Sequence, residues 1–227
     1  MAGNVVREVD SFVTVKRALL SVSDKTGLEA LVLGLIKQNP EIELYSTGGT
    51  HAAIAKLLGE NAARNLIAVS DYTGQPETQG GLVKTLDFKI YLGLLTETYN
   101  PAHQGDLTRT KAVPIDLVVV NLYPFRETIA KEGVTVEEAR ANIDIGGPCM
   151  IRASAKNYLR VASVVDPADY PMLLDELSKN AGRLSLLSRF RFAQKAFAHT
   201  ASYDTAIAAY LGGRDPEQVP QTYTLHT

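Results

Sequence analysis

The sequence predicts an α/β fold, doubly wound, in which helices cover both faces of a mainly parallel sheet. Short apolar runs alternate with segments whose apolar residues recur at helical spacing. Polar loops rich in Ser, Thr and Gly join several of these runs to the helix that follows. The run at 115–120 is β-branched and apolar on both faces, which is typical of a central strand. Such alternation places the carboxyl ends of the strands on one edge, where α/β proteins bind ligands.

Each element follows from the same criteria of spacing and turn residues. Strands are predicted at 17–22, 42–46, 66–69, 115–120 and 160–165. Helices are predicted at 28–39, 51–58, 167–179 and 184–211, from about residue 148, and after Thr135, which forms a capping-box pattern with Glu138. The polar stretches 70–81 and 96–110 are predicted to be loops. We expect an N-terminal arm (1–15), one domain (16–211) and a C-terminal tail or linker (212–227).

Composition excludes several classes of function. The chain has 227 residues, 45% hydrophobic and 21% charged, and a net charge of −2, so nothing in its charge favours nucleic acid or an acidic membrane. Its apolar runs are too short to span a bilayer, and its first thirty residues do not resemble a secretory leader, so we expect a cytoplasmic protein. Cys149 is the single cysteine and the four histidines are scattered, so we expect neither an internal disulfide nor a metal site.

The segment 143–157 holds an unusual mixture of a carboxylate, two adjacent glycines, a proline and two cations. The glycines allow a sharp turn, and Pro148 suits the first turn of a helix. In that helix Arg152 and Lys156 lie four residues apart on one face, while Asp144 precedes the positive helix end. An acid and an amine would then face one pocket. A solvated helix behind a glycine-rich loop explains the segment equally well when it is taken alone.

Two strand-to-helix loops offer groups that suit a phosphate. The first contains Ser23, Lys25 and Thr26, and the second is the Thr-Gly-Gly-Thr run at 47–50. Helix N-termini provide unpaired N–H groups and a partial positive charge, which a lysine reinforces. Neither loop matches a Walker A or dinucleotide-binding pattern, and helix capping alone explains each loop singly. Because both loops lie on the same edge, together they favour a phosphorylated ligand.

Three further polar residues are candidates for chemistry. Lys84 lies among apolar neighbours, where partial burial or a nearby carboxylate would tune it as an acid or base, although most such lysines are simply at the surface. Asn121 and Tyr123 follow the most central strand, where side chains point into the crevice at the sheet edge. The competing interpretation of a buried tyrosine is packing.

Seven segments, in order along the chain, together resemble one family. They are 17–27, 46–50, 83–86, 121–125, 143–147, 152–157 and 195–204. Over roughly residues 16–211 the chain resembles the inosine monophosphate (IMP) cyclohydrolase domain of the bifunctional purine-biosynthesis family PurH. The resemblance implies a methylglyoxal-synthase-like fold. The implied reaction, the last step of de novo purine biosynthesis, closes the ring of 5-formamidoimidazole-4-carboxamide ribotide to give IMP and water. It needs no cofactor or metal, and the enzyme class is that of hydrolases acting on cyclic amidines.

The resemblance also implies roles for individual residues. Lys156 would transfer protons with Asp144 as its partner, and Lys84, Asn121 and Tyr123 would position the formyl and carboxamide groups. The implied substrate-binding residues are Ser23, Asp24, Lys25, Thr47, Gly48, Gly49, Thr50, Thr85, Leu122 and Ile145. The implied partners are a second copy of the chain and a fused or separate formyltransferase, with no nucleic acid or membrane.

The chain departs from the family pattern in the segment 78–88. Leu82 replaces an arginine expected to contact the nucleotide, Asp87 replaces a histidine, and Phe88 replaces a proline, while Gly80 also differs. Two alternatives stay open, and these changes motivate the first of them. One is a catalytically drifted purine-nucleotide-binding or regulatory domain. The other is methylglyoxal synthase activity, which rests on analogy of fold.

Overall fold

A computed structural model describes residues 5–75 and 84–226, and its centre is a parallel sheet. The strands of the described chain are β1 (Phe12–Thr14), β2 (Arg17–Val22), β3 (Glu43–Ser46), β4 (Leu66–Ala68), β5 (Leu117–Asn121), β6 (Ala162–Val164) and β7 (Arg183–Ser185). Five of them form a parallel sheet in the order β4-β3-β2-β5-β6, and β1 pairs with β7 in a separate antiparallel ribbon. The predicted α/β class with a mainly parallel sheet is confirmed.

Helices cover both faces of this sheet. Those in the described residues are α1 (Leu28–Gln38), α2 (Gly48–Leu58), α3 (Ala62–Asn65), α4 (Val69–Thr73), α5 (Phe88–Leu95), α6 (Pro101–Thr110), α7 (Phe125–Ile129), α8 (Val136–Ala141), α9 (Gly146–Lys156), α10 (Tyr170–Lys179) and α11 (Leu186–Gly212). None of them is both long enough and apolar enough to cross a membrane.

The central strand β5 shows why the sheet is doubly wound. Val118 and Val120 lie in the apolar core shared with α5, α9 and α11, whereas Leu117 and Val119 lie in the core shared with α1, α2 and α10. Successive side chains of a strand point to opposite faces, so a strand that is apolar at every position must be covered twice. All five residues of β5 are buried, as its composition predicts.

Two predicted loops contain helices. The segment 96–110 includes α6, which begins after Asn100, whose side chain accepts hydrogen bonds from the N–H groups of Ala102 and His103. An Asn before a Pro at the first helical position is a helix-start signal that the polarity of the segment obscured. The predicted loop at 70–81 begins inside α4, and its residues 76–81 lie outside the described part of the chain.

An antiparallel pair of strands, β1 and β7, was not predicted. The last residues of the predicted arm form β1, and its partner β7 occupies positions that were assigned to the start of the long C-terminal helix. That helix, α11, therefore begins at Leu186. The capping box of Thr135 and Glu138 is confirmed at the start of α8.

Arg189 joins these separated segments from within the core. Its side chain is buried, with 1% of its surface exposed. The guanidinium donates to the main-chain carbonyls of Asp10, Tyr158, Leu159 and Leu184 at 2.5–3.0 Å. Burial lowers the pKa of Arg189, and the four carbonyl acceptors compensate the buried charge with hydrogen bonds.

We expect Arg189→Met to destabilise the protein by about 3 kcal/mol or more, because it strips hydrogen bonds from several buried carbonyls. For a chain of this size, that loss lowers Tm by roughly 6–12 °C in a calorimetric scan. Arg191→Met, which removes an exposed arginine from the same helix, is the matched control and should change Tm little. Equal losses in the two variants would contradict this role of Arg189.

Candidate active site

The carboxyl ends of β2, β3 and β5 open into a cleft of about 410 Å³. Its walls come from the loops after these strands, the N-terminus of α2, the segment just before α5 and the N-terminus of α9. Most of the lining therefore comes from strand ends and helix starts. This is the edge at which an α/β sheet was expected to bind its ligand.

The wall of the cleft at the N-terminus of α2 combines features that favour an anion. Gly48 opens α2 with a φ of 49°, a conformation that favours glycine, and the N–H groups of the first helical turn have no partners within the helix. A Cβ on Gly48 would lie 3.0 Å from Lys84 Nζ, and a Cβ on Gly49 would lie 3.9 Å from Lys25 Nζ. Two ammonium groups thus meet the positive end of a helix, which matches the needs of a phosphate group.

Helix capping does not account for the hydroxyl groups in these two loops. Gly27 precedes α1 and Thr47 precedes α2, and neither helix receives a side-chain cap from that position. Thr50 has a different task, because its buried hydroxyl accepts from the N–H of Val22 and donates to the carbonyl of Val22, both at 3.0 Å. Thr50 therefore fixes the end of β2 beside the anion site, while the Thr47 hydroxyl is not used for capping.

The Asn121 side chain shapes the first loop. Its Oδ1 accepts from the N–H groups of Ser23 and Asp24 at 2.6 and 2.9 Å, and its Nδ2 donates to the Asp24 carbonyl at 2.8 Å. The Asp24 carboxylate accepts from the hydroxyl and the N–H of Thr26, and these bonds lower the pKa of Asp24. Asn121 thus acts mainly by holding the loop at the end of β2.

The wall of the cleft at the N-terminus of α9 carries a carboxylate. Asp144 lies just before α9, and its Oδ1 accepts from the N–H of Gly147 at 2.8 Å. Burial raises the pKa of Asp144, and hydrogen bonds from the main chain of Gly147 and Tyr123 oppose part of that rise. A Cβ on Gly147 would lie 2.6 Å from both the carboxylate and Leu122, so only glycine leaves the carboxylate in this position.

Lys156 does not reach this carboxylate within one chain. It is the last residue of α9, whose 11 residues extend about 16 Å at 1.5 Å per residue. Its side chain is exposed, and it does not line the cleft. The structure therefore does not bring Asp144 and Lys156 together within one chain, and their partnership stays a prediction.

Comparisons with known proteins agree with this architecture. The model of the MGS-like domain matches residues 27–149, more than half of the chain. The chain belongs to the MGS-like domain family. The model described as AICARFT/IMPCHase bienzyme matches residues 154–227, so the two family models together reach from α1 to the end of the chain.

Individual relatives support the same placement. This chain is 49% identical, over 92% of its length, to each of two bifunctional purine biosynthesis proteins PurH, those of Bacillus subtilis (strain 168) and Bacillus cereus (strain AH820). The chain spans only 40% of the length of these relatives. A crystal structure of ForH superposes with a TM-score of 0.75 and 30% identity, covering 86% of this chain and 96% of that one. The resemblance to the cyclohydrolase part of PurH is confirmed.

Most of the predicted site residues meet in the cleft. Those that line it are Ser23, Lys25, Thr47, Gly48, Gly49, Thr50, Lys84, Thr85, Asn121, Tyr123, Asp144 and Ile145. Besides Lys156, two predicted residues do not line it. Asp24 faces a neighbouring cavity, and Leu122 packs behind Gly147. The prediction omitted Gly146 and Gly147 as contact residues, although their adjacency was the signal for a close backbone approach.

The departures from the family pattern have a partial structural explanation. Asp87 is buried and caps α5, since its Oδ1 accepts from the N–H of Lys89 at 2.7 Å. Phe88, the first residue of that helix, is exposed. These two substitutions therefore suit a local helix start. Gly80 and Leu82 lie outside the described residues.

The anion site generates a test with a simple ligand. We expect ribose 5-phosphate to bind the protein, and Lys84→Met to weaken that binding roughly 10- to 100-fold, because a hydrogen bond to a charged group contributes about 1.5–3 kcal/mol. Isothermal titration calorimetry at low salt measures both affinities. The control is Lys56→Met, which removes a lysine from the last turn of α2, at the end of that helix away from the cleft. Unchanged affinity in Lys84→Met would place the phosphate elsewhere.

Proposed function

We propose that the protein is an IMP cyclohydrolase, which closes the ring of 5-formamidoimidazole-4-carboxamide ribotide with loss of water. The observation that carries the proposal is the polarity of the cleft. Lys25, Lys84 and the α2 N-terminus form one wall, and the half-buried Asp144 lies on the wall that the α9 N-terminus forms. This matches a substrate with a phosphate at one end and a heterocycle that exchanges protons at the other. The identity to the PurH proteins of purine biosynthesis supports the same reaction.

The main requirement of this reaction is that the two reacting groups of the substrate are held in the correct position. Nucleophile and electrophile are on one molecule, so the protein must hold the carboxamide nitrogen against the formyl carbon. Alignment of that kind contributes up to about 7–11 kcal/mol. With the phosphate bound at the α2 N-terminus, the base of the nucleotide extends toward Tyr123, Asp144 and the main chain of Gly146 and Gly147.

Asp144 and Lys84 then have distinct tasks. Because burial raises the Asp144 pKa, this carboxylate exchanges a proton more readily near neutral pH than an exposed aspartate does. We assign it the removal of a proton from the attacking carboxamide nitrogen. Lys84 lies beside Gly48, so we assign it to the phosphate in place of the formyl group that the resemblance implied.

We expect Asp144→Asn to lower turnover at least about 100-fold, the usual effect of losing a general base, while IMP still binds. In the wild type, kcat/KM should fall as pH drops through the raised pKa of Asp144, so this limb lies above the ordinary aspartate range. The ultraviolet absorbance change on ring closure reports turnover. Asp175→Asn, an exposed carboxylate on α10, is the control.

The same assay separates the alternatives. If the wild-type protein binds IMP in a calorimeter but produces none, the chain is a drifted nucleotide-binding domain. If it instead consumes dihydroxyacetone phosphate, the methylglyoxal synthase alternative is correct.

Lys156 enters the proposal only through a second copy of the chain. The resemblance implies both a proton-transfer lysine at this position and a homodimer, yet Lys156 lies about 16 Å along α9 from its own Asp144. We propose that the Lys156 ammonium serves the cleft of the neighbouring subunit. Each cleft of the dimer would then be completed by its partner.

Subunit complementation tests this arrangement. Lys156→Ala and Asp144→Asn should each be inactive alone. Mixed in equal amounts and allowed to exchange subunits, they should regain about a quarter of the wild-type turnover, since about half of the dimers are hybrids with one intact cleft. Full activity of Lys156→Ala alone would remove Lys156 from the reaction.

The remaining assignments belong to the same proposal. We place the cyclohydrolase domain at 16–211, with an arm before it and a tail or linker after it. The formylated substrate must come from a formyltransferase, either fused, as the bifunctional relatives suggest, or separate. A cytoplasmic location follows from this class of metabolism.

A further inference from the structure

The long helix α11 makes polar contacts with three segments at the ligand-binding edge of the sheet. Lys195 forms ion pairs with Asp166 and Asp169, in the segment after β6. The guanidinium of Arg126, in the segment after β5, donates to the carbonyl and hydroxyl of Ser202. Tyr203 contacts the loop before α9. The segment 195–204, the last of the seven that carry the family resemblance, therefore holds the loops around the cleft.

The contact made by Tyr203 is the one closest to the proposed chemistry. Its Oη accepts a hydrogen bond from the main-chain N–H of Asp144 at 2.8 Å and donates to the carbonyl of Asn142 at 3.4 Å. One hydroxyl thus bridges the first and third residues of the four-residue segment that connects α8 to α9. The Tyr203 ring is 8% exposed and packs edge-on against Phe125, with ring centroids 6.1 Å apart.

This segment decides where the Asp144 carboxylate points. The carboxylate is held by the main chain of Gly147 on one side and Tyr123 on the other. Those bonds orient the side chain, whereas Tyr203 fixes the main chain from which the side chain extends. A shift of the main chain would move the carboxylate relative to a substrate anchored by its phosphate, and small displacements of a reacting group are costly in rate.

We propose that Tyr203 is a positioning residue that acts through Asp144, held in place by the packing of α11 against Phe125. The catalytic part of this inference rests on the proposed cyclohydrolase function, whereas the ordering of the loop does not. Burial raises the pKa of Tyr203, so the phenol stays protonated and serves as donor and acceptor at once.

The chain provides a matched control for this tyrosine. Tyr210 lies two turns later on α11, is 7% exposed, and also packs edge-on against Phe125 at 6.0 Å. Its hydroxyl donates to the carbonyl of Thr135 at 3.3 Å, at the start of α8. Tyr210→Phe therefore removes one buried phenol with the same ring partner, but leaves the Asp144 loop untouched.

The experiment compares Tyr203→Phe, Tyr210→Phe and wild type by amide hydrogen exchange and by steady-state kinetics. In Tyr203→Phe, exchange in residues 142–147 should accelerate about tenfold. The same variant should lose kcat about tenfold with KM changed less than about twofold, since one neutral hydrogen bond of ~1.4 kcal/mol is lost from the reacting geometry. Tyr210→Phe should match wild type in both measurements, while the Tm values of the two variants should be similar.

Two results would overturn the inference. The first is unchanged exchange at 142–147 in Tyr203→Phe, which would mean that the hydroxyl does not order the loop. The second is an equal loss of kcat in Tyr203→Phe and Tyr210→Phe, which would indicate a general packing effect. A wild-type protein without turnover would refute the proposed function instead, and the exchange data would still decide whether Tyr203 orders the loop.

Discussion

The parallel pairing of β2 with β5 is the constraint on which the site depends. Its register places Val22 opposite Asn121, so the two strands end at the same level. The Asn121 amide can then bind the main chain of Ser23 and Asp24, while Thr50 binds Val22 from the other side. A shift by one residue would reverse which side chains face the core and would also remove these bonds. Core packing and loop geometry are therefore fixed by one set of main-chain hydrogen bonds.

At the ends of these strands, the cleft carries opposite charges on two of its walls. The ammonium groups of Lys25 and Lys84 lie at the α2 N-terminus, where a helix already favours an anion, and Asp144 lies at the α9 N-terminus, where burial disfavours its charge. A bound phosphate would neutralise the positive charge of the two lysines and leave the Asp144 carboxylate free to exchange protons. Two helix starts of the same kind thus have different tasks because one is supplied with cations and the other with a carboxylate.

Much of this site could be predicted because its residues lie at positions that local rules define. Gly48 is needed where the main chain approaches Lys84, and Asn121 ends the most apolar strand. Contacts between residues that are distant in sequence, and distances along a helix, could not be predicted in this way. Asp144 and Lys156 are close in sequence, yet an intervening helix separates them. The contact of Asp144 with Tyr203 spans 59 positions and has no local pattern. The helix α6 was missed because polarity outweighed the Asn100-Pro101 signal.

The helix α9 places two candidate catalytic residues at opposite ends, Asp144 before its N-terminus and Lys156 at its C-terminus. Its N-terminus holds Asp144 through Gly147, and its buried face carries Met150 and Ile151 into the core. Its last residue, Lys156, is left exposed at the opposite end. A rigid helix cannot bring both ends to one ligand, so if both residues take part in one reaction, the ligand must lie between two chains. Because of the length of α9, a reaction that uses both residues would require that two chains assemble.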